Sequence, residues 1–317
     1  VKHARLFFVT VAAFLLFPSL GSAEDDFERR GNWHVDCASG ETVTRLLPRI
    51  HPGDTVIISG ACHENLLISS PVGQFNGVTL EGHDTASIYG PDASRNTIEL
   101  TGVSSFTIRR LMITGGNDGL SINSANQVAI DGVIVQRTGR HGIHFQRGST
   151  MGDVVNSTIQ SNPGNGIVVN ENSYVRIGFT AGVGASQDDT GPCAITGNGN
   201  FGIRVQRASS ARIYASTISS NGSNGVNVES GSYAEIASDV IDGNAKNGVS
   251  VSENSTVHLG NPTGARNEDT PNLTNVPNGQ FGLSASWGAY VQGRLGAING
   301  TSGVLTFTHG AQNNLTL

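Results

Sequence analysis

The sequence predicts an all-β chain wound as a solenoid, a parallel β-helix in which each coil contributes three short strands. Two observations carry this reading. A glycine followed by an aliphatic residue recurs as Gly119-Leu120, Gly142-Ile143, Gly166-Ile167, Gly202-Ile203, Gly225-Val226, Gly248-Val249 and Gly282-Leu283, at spacings of 23, 24, 36, 23, 23 and 34 residues. Units of that size cannot bury an apolar face alone and must stack on their neighbours. The composition agrees, because 42 glycines beside only 14% charged residues suit turns and short strands better than long surface helices.

Taken in chain order, residues 1–23 read as a secretory signal peptide. Lys2, His3 and Arg5 precede an apolar run from Leu6 to Phe17, and Gly21-Ser22-Ala23 offers small residues for cleavage. The run is too short for an ordinary spanning helix, and no later stretch reaches 18 continuous apolar residues. The expectation is a secreted or periplasmic protein starting near Glu24, with no membrane span once the signal is removed. Losing Lys2 and Arg5 from 19 basic residues against 25 acidic ones moves the net charge from -6 to about -8, which disfavours nucleic acid as a partner.

Residues 24–317 read as one domain, with 24–70 as an amino-terminal cap and first strands and 71–317 as coils. Glu41 to Ile50 is expected to form a short capping helix with Val43, Leu46, Leu47 and Ile50 on its apolar side, weakened by Pro48. Such a cap shields strand edges at the open end of a solenoid. In an oxidising compartment Cys37 and Cys62, both in this non-repetitive section, are the expected bridge, leaving Cys193 as a free surface thiol. Less regular early strands are expected at Thr55 to Ser59, Leu66 to Ser69, Val78 to Glu81, Thr97 to Leu100, Ser105 to Ile108 and Leu111 to Thr114.

In the marked coils, period-two alternation turns Ile167 and Val169, Ile203 and Val205, Val226 and Val228, and Val249 and Val251 inward on the first strand. The second strand turns in Val175 and Ile177, Ala211 and Ile213, Ala234 and Ile236, and Val257 and Leu259, and the third Ile159, Ile195, Ile218 and Ile241. Asparagine stands four residues before the glycine at Asn162, Asn198, Asn221, Asn244 and Asn278. Stacked roughly 4.8 Å apart, these amides are expected to form a hydrogen-bonded ladder in a tight corner.

At this point the chain resembles the right-handed parallel β-helix proteins of the pectin-lyase-like superfamily. Cys37 to Ser69, with Pro52-Gly53-Asp54-Thr55-Val56, is similar to their capping section, and the later units resemble their N-G-x-G-I coils. The resemblance implies a right-handed helix of about nine or ten coils. It does not imply one activity, since lyases, hydrolases, epimerases and adhesins share these coils.

The two long intervals carry insertions after Val175-Arg176-Ile177-Gly178 and Val257-His258-Leu259-Gly260, and both end in paired acids, Asp188-Asp189-Thr190 and Glu268-Asp269-Thr270. The loops at 178–193 and 260–274 are therefore expected to leave one corner, about 14 Å apart along the axis. Paired acids can hold Ca²⁺, but neither loop has a calcium-binding spacing, so no metal or other cofactor is assigned.

Outward positions of the first strand form a polar face suited to a carbohydrate polymer: Ser121 and Asn123, His144 and Gln146, Val168 and Asn170, Arg204 and Gln206, Asn227 and Glu229, Ser250 and Ser252, Ser284 and Ser286. Near its amino-terminal half cluster Asp118, Arg137, Arg140, His141, His144, Arg147, Arg204 and Arg207. In polygalacturonases of this fold an aspartate before one glycine is followed by an Asp-Asp pair and a Gly-His-Gly. Asn117-Asp118-Gly119 resembles the first element, but Arg140-His141-Gly142 and Gly164-Asn165-Gly166 replace the others, which disfavours a hydrolase of that type. A lyase or epimerase needs a base and a partner for the uronate carboxylate, roles that His141 or His144 and Arg140 or Arg204 suit, with Asp118 orienting an imidazole. Substrate contacts would come from Arg204, Gln146, Asn170, Gln206, Asn227 and Glu229. Trp287, one of two tryptophans, is expected to cap the end of the core, the alternative being a stacking platform for a sugar ring. Two functions follow: a non-catalytic, carbohydrate-binding surface or envelope module, or a polysaccharide lyase or epimerase. The sequence is silent on oligomeric state.

Overall fold

Why the glycine recurs is a question of space. In the computed structural model, which describes residues 31–70, 72–179, 191–260 and 271–316, a Cβ on Gly142 would lie 2.5 Å from Ile159 Cγ2, 2.6 Å from the Gly166 carbonyl oxygen and 2.9 Å from Asn162 Nδ2. The same collisions, with Ile241, Gly248 and Asn244, meet a Cβ on Gly225. The glycine is where one coil presses on the asparagine ladder and on the next coil.

Each coil visits three sheets in turn. A twelve-stranded sheet runs from Asn32–Asp36 to Gln312–Thr316, an eight-stranded sheet from Ala61–His63 to Val240–Asp242, and a ten-stranded sheet from Leu66–Ser69 to Gly303–Phe307. Neighbouring strands pair in parallel throughout, as Ile143–Gln146 does with Leu120–Asn123 on one side and Ile167–Val169 on the other. The result is a right-handed parallel β-helix of about 11 turns. The glycine register undercounts because the early coils, and the last turn through Gly303–Phe307 and Gln312–Thr316, lack the mark.

Every inward residue assigned from alternation is buried, from Ile167 and Val169 on the first strand to Ile241 on the third. Each such aliphatic side chain contributes about 1.5–3 kcal/mol relative to its exposed state. All six early strands fall where expected within two residues, but Asn32–Asp36, Ala61–His63 and Ser87–Gly90 were not anticipated.

The asparagine ladder is complete. Asn162, Asn198, Asn221 and Asn244 each donate Nδ2 to the Oδ1 of the next, at 2.9–3.0 Å. Each Oδ1 from Asn198 onward also accepts the backbone N–H of the preceding asparagine. Thr138 starts the column by donating its hydroxyl to Asn162 Oδ1 at 3.0 Å. A second ladder runs at another corner, where Ser149, Ser173, Ser209, Ser232 and Ser255 cap one another's backbone N–H groups.

The cap is shorter than its pattern. Val43–Leu46 is α-helical and Leu47–Arg49 is a 3-10 turn, since Pro48 cannot supply the donor a longer helix requires. Glu64 holds the start of the helix by accepting from the N–H groups of Val43 and Thr44, and the helix packs on Leu66–Ser69, the edge strand of the ten-stranded sheet. Cys37 and Cys62 form the expected disulfide. Cys193, by contrast, is buried rather than a surface thiol. It occupies a position that neighbouring coils give to Ser157 and Ser216, its Sγ lies 3.3 Å from the Val154 carbonyl oxygen, and burial pushes its thiol up to about 11.

The insertions leave one corner, after Tyr174–Ile177 and Thr256–Leu259, which sit three strand steps apart in the twelve-stranded sheet. The acidic pairs Asp188-Asp189 and Glu268-Asp269, and residues 1–23, lie outside the described residues. Among the described residues no helix is long and apolar enough to cross a membrane.

Candidate functional site

Because side chains of a parallel sheet stack in register, the outer face of the ten-stranded sheet carries one continuous column. It reads Leu67, Glu99, Ser121, His144, Val168, Arg204, Asn227, Ser250, Ser284 and Thr306. Leu67 at the amino-terminal end of this face is exposed, but the next stretch is recessed: Ser121, Asn123, His144, Val168 and Asn170 are all under a tenth exposed.

Asp118 organises that stretch. It sits in the corner before the strand Leu120–Asn123, 1% exposed, and its carboxylate takes Arg140 Nε at 2.8 Å and a second guanidinium nitrogen at 2.6 Å. It also accepts the His141 backbone N–H at 3.1 Å and faces His144 Nδ1 at 3.2 Å. Burial would raise its carboxyl, but the bonds from Arg140 and His144 outweigh burial and hold it well below the usual carboxylate range. Asp118 is therefore ionised and an acceptor, which places a proton on His144 Nδ1. His144 Nε2 is buried and has no partner among the described residues.

His141 is the opposite case. Its Nδ1 accepts the Asn165 backbone N–H at 3.0 Å, so its proton sits on Nε2. Burial, aided by Arg140 and opposed by Asp118, pushes it down to about 4, leaving a neutral imidazole at pH 7. The two histidine rings meet edge to face with centroids 5.7 Å apart.

Of the residues singled out from the sequence, Asp118, Arg140, His141 and His144 thus converge. Arg204 does not join them as a free cation: it pairs with Glu229, and Asn227 donates to the same carboxylate at 2.9 Å. Gln146 donates to Ser121 at 3.2 Å. Asn170 lies one coil further on, its Oδ1 unpartnered like that of Asn123. Gln206 is half-buried at the end of its strand. Arg137 lies on the eight-stranded sheet, away from the cluster, Arg147 is at the far corner, and Arg207 pairs there with Glu171. Trp287 does not cap the core. It is 60% exposed and stacks on His309.

One neighbouring element escaped the sequence reading. A hollow of about 250 Å³ is lined by Leu67, Arg95, Asn96, Glu99 and Asn117, one coil before Asp118. Its signal was available, since Glu99 shares the register of Ser121, but the glycine mark that revealed the register begins only at Gly119. Among the described residues the only grouping of histidine, cysteine and acidic side chains close enough to hold a metal is Cys37, Cys62 and Glu64, which does not fit one because both sulfurs are in the disulfide.

A sequence model for the right handed beta helix region matches residues 51–180 and 151–269, and the chain belongs to that family. No curated protein matches it by sequence. Among solved structures, the pectate lyase Pel9A superposes with a TM-score of 0.60 at 12% identity, covering 86% of this chain and 78% of the lyase. An alginate lyase from Paenibacillus reaches 0.45 at 17% identity, covering 89% and 99%. The mannuronan C-5 epimerase AlgE4 A-module of Azotobacter vinelandii reaches 0.39 at 13%, covering 84% and 89%. At these identities the likeness is one of fold.

Proposed function

We propose that this chain is an exported, non-catalytic module that binds a carbohydrate polymer along the outer face of its ten-stranded sheet. One observation carries the reading. Three consecutive coils each present a buried polar atom with no partner among the described residues, namely Asn123 Oδ1, His144 Nε2 and Asn170 Oδ1. An unsatisfied buried polar atom costs about 1–3 kcal/mol, and because all three are almost wholly covered in the free protein, a chain of hydroxyls spaced along the coils would satisfy them once the side chains over them turn aside. The disulfide supports an oxidising compartment.

The absence of turnover follows from how the cations are used. Arg140 is committed to Asp118 and Arg204 to Glu229, so neither is free to neutralise a uronate carboxylate. Asp118, held ionised, is unsuited to be the acid of a hydrolase. The second reading, a uronate lyase or epimerase, is favoured by the Asp118–His144 pair alone. There His144 Nε2 is the base that removes the proton next to the carboxyl group, and His141 Nε2–H is a neutral donor.

Calorimetric titration with pectate, alginate and neutral glucans tests the first reading. An Asn123→Ala/Asn170→Ala double variant should bind its ligand about tenfold more weakly or worse, two hydrogen bonds being worth about 1 kcal/mol each. Unchanged affinity in that variant refutes the groove. Appearance of an unsaturated product at its ultraviolet absorbance, lost in His144→Ala, decides for the lyase.

A further inference from the structure

At the corner that follows each outward strand end, two consecutive residues per coil take a left-handed backbone conformation, and the first of each pair forms a column. Successive coils place Arg147, Glu171, Arg207, Ser230, Glu253, Trp287 and His309 there, all with φ between 51° and 57°. Through most of the column these side chains pair between neighbouring coils. Arg207 bonds Glu171, and Ser230 donates to Glu253 Oε2 at 2.7 Å. The last two members pair as well, the Trp287 and His309 rings lying parallel within 9° at 4.2 Å.

This pairing leaves a break. Glu253 turns back towards Ser230 while Trp287 stacks forward on His309, and between the pairs opens a hollow of about 490 Å³ lined by Glu253, Asn254, Trp287 and His309. Its wall is an indole 60% exposed, and its rim is a carboxylate and an amide. A bulky residue is rarely held at positive φ, and burying this one elsewhere would recover apolar area.

We infer that this hollow is a second carbohydrate subsite that takes one neutral sugar ring, its C–H face on Trp287 and its hydroxyls on Glu253 and Asn254. The inference rests on the carbohydrate reading above but not on the groove at His144. Apolar floor with a few polar groups at the rim is the usual composition of a small-ligand site. Charge sets the ligand class: the hollow is lined by the Glu253 carboxylate and by no arginine or lysine, so a uronate would meet a like charge. Five strand steps separate Ile143–Gln146 from Phe281–Ala285 in the ten-stranded sheet, so the subsite lies about 24 Å from His144 along the axis. A polymer reaching both would be held at two points.

The chain has two tryptophans, so its two indole N–H resonances can be followed separately, with Trp287→Phe providing the assignment. Cellohexaose, mannohexaose, maltohexaose and hexagalacturonate serve as probes. At least one neutral hexasaccharide should shift the Trp287 resonance at concentrations up to about 20 mM, while hexagalacturonate should not. Trp287→Ala, checked for an unchanged melting temperature, should weaken that binding about tenfold or more, and the Asn123→Ala/Asn170→Ala variant should leave the Trp287 shift intact. A Trp287 resonance that no neutral probe moves, or binding that survives Trp287→Ala unchanged, overturns the subsite. Failure of the groove reading shows differently, as hexasaccharide affinity indifferent to Asn123 and Asn170.

Discussion

His141→Asn should make the protein less sensitive to mild acid, and the size of the effect follows from how His141 is held. In the folded chain the imidazole is pushed from 6.5 to about 4, first by burial. The unfolded chain therefore binds more protons than the folded one between these values, and stability falls as pH drops from above 6.5 towards 4. Between pH 7 and pH 4.5 the two titration curves imply a loss of about 2 kcal/mol through this one residue. Asp118 adds little in that window, because its unfolded-state titration at 3.8 already lies below it and its folded-state titration lies lower still. Asparagine presents Oδ1 near the position of the imidazole Nδ1, so the Asn165 N–H that His141 now accepts at 3.0 Å keeps a partner. Urea unfolding at the two pH values, for both proteins, gives the difference directly. The wild type should lose about 2 kcal/mol more than the variant, and its His141 ring should titrate by NMR only near pH 4. Equal losses, or a ring that titrates near 6.5, would refute the account of a buried neutral imidazole.

Asn221→Ala strands the backbone N–H of Asn198 and one of its two Nδ2 hydrogens, removes the side-chain bond to the Ile195 carbonyl in the middle of the ladder, and should cost about 3–5 kcal/mol in denaturant unfolding. Gly225→Ala puts a methyl 2.7–2.8 Å from three atoms of the next coil and should cost about 1–3 kcal/mol, against no measurable change for Val276→Ala, whose side chain is 59% exposed. Cys193 should resist alkylation at pH 8 in the folded protein and react only on unfolding, while Cys193→Ser should change stability by less than about 1 kcal/mol because neighbouring coils already use serine there. Reduction of Cys37–Cys62 should lower stability by about 2–4 kcal/mol and loosen the cap first.

What the sequence disclosed was whatever the stacking repeats. A Cβ on the recurring glycine collides with the ladder asparagine and with the next carbonyl, so glycine, asparagine and inward aliphatics recur together and can be read from one register. Cys193 and Ser87–Gly90 were misread or missed for the complementary reason. A cysteine in a serine position has no visible partner until the insertion before it is set aside. The first strands of the eight-stranded sheet, Ala61–His63 and Ser87–Gly90, carry neither the glycine nor the ladder asparagine.

The candidate site was legible as a list of residues but not as chemistry, and the difference lies in pairing. Alternation put His144 and Arg204 on one face and spacing put Asp118 and Arg140 one coil apart. No spacing rule says which carboxylate an arginine will take. Arg140 closes on Asp118 and Arg204 on Glu229, converting two supposed substrate cations into internal partners. The same contacts give opposite roles to the Nδ1 atoms of two histidines three residues apart, that of His144 facing a carboxylate and that of His141 accepting a backbone N–H. A donor at His141 Nε2 thus stands beside the unpartnered Nε2 of His144. That arrangement suits a ligand offering both a hydroxyl oxygen and a hydroxyl hydrogen, which is what a sugar ring presents at every step of a polymer.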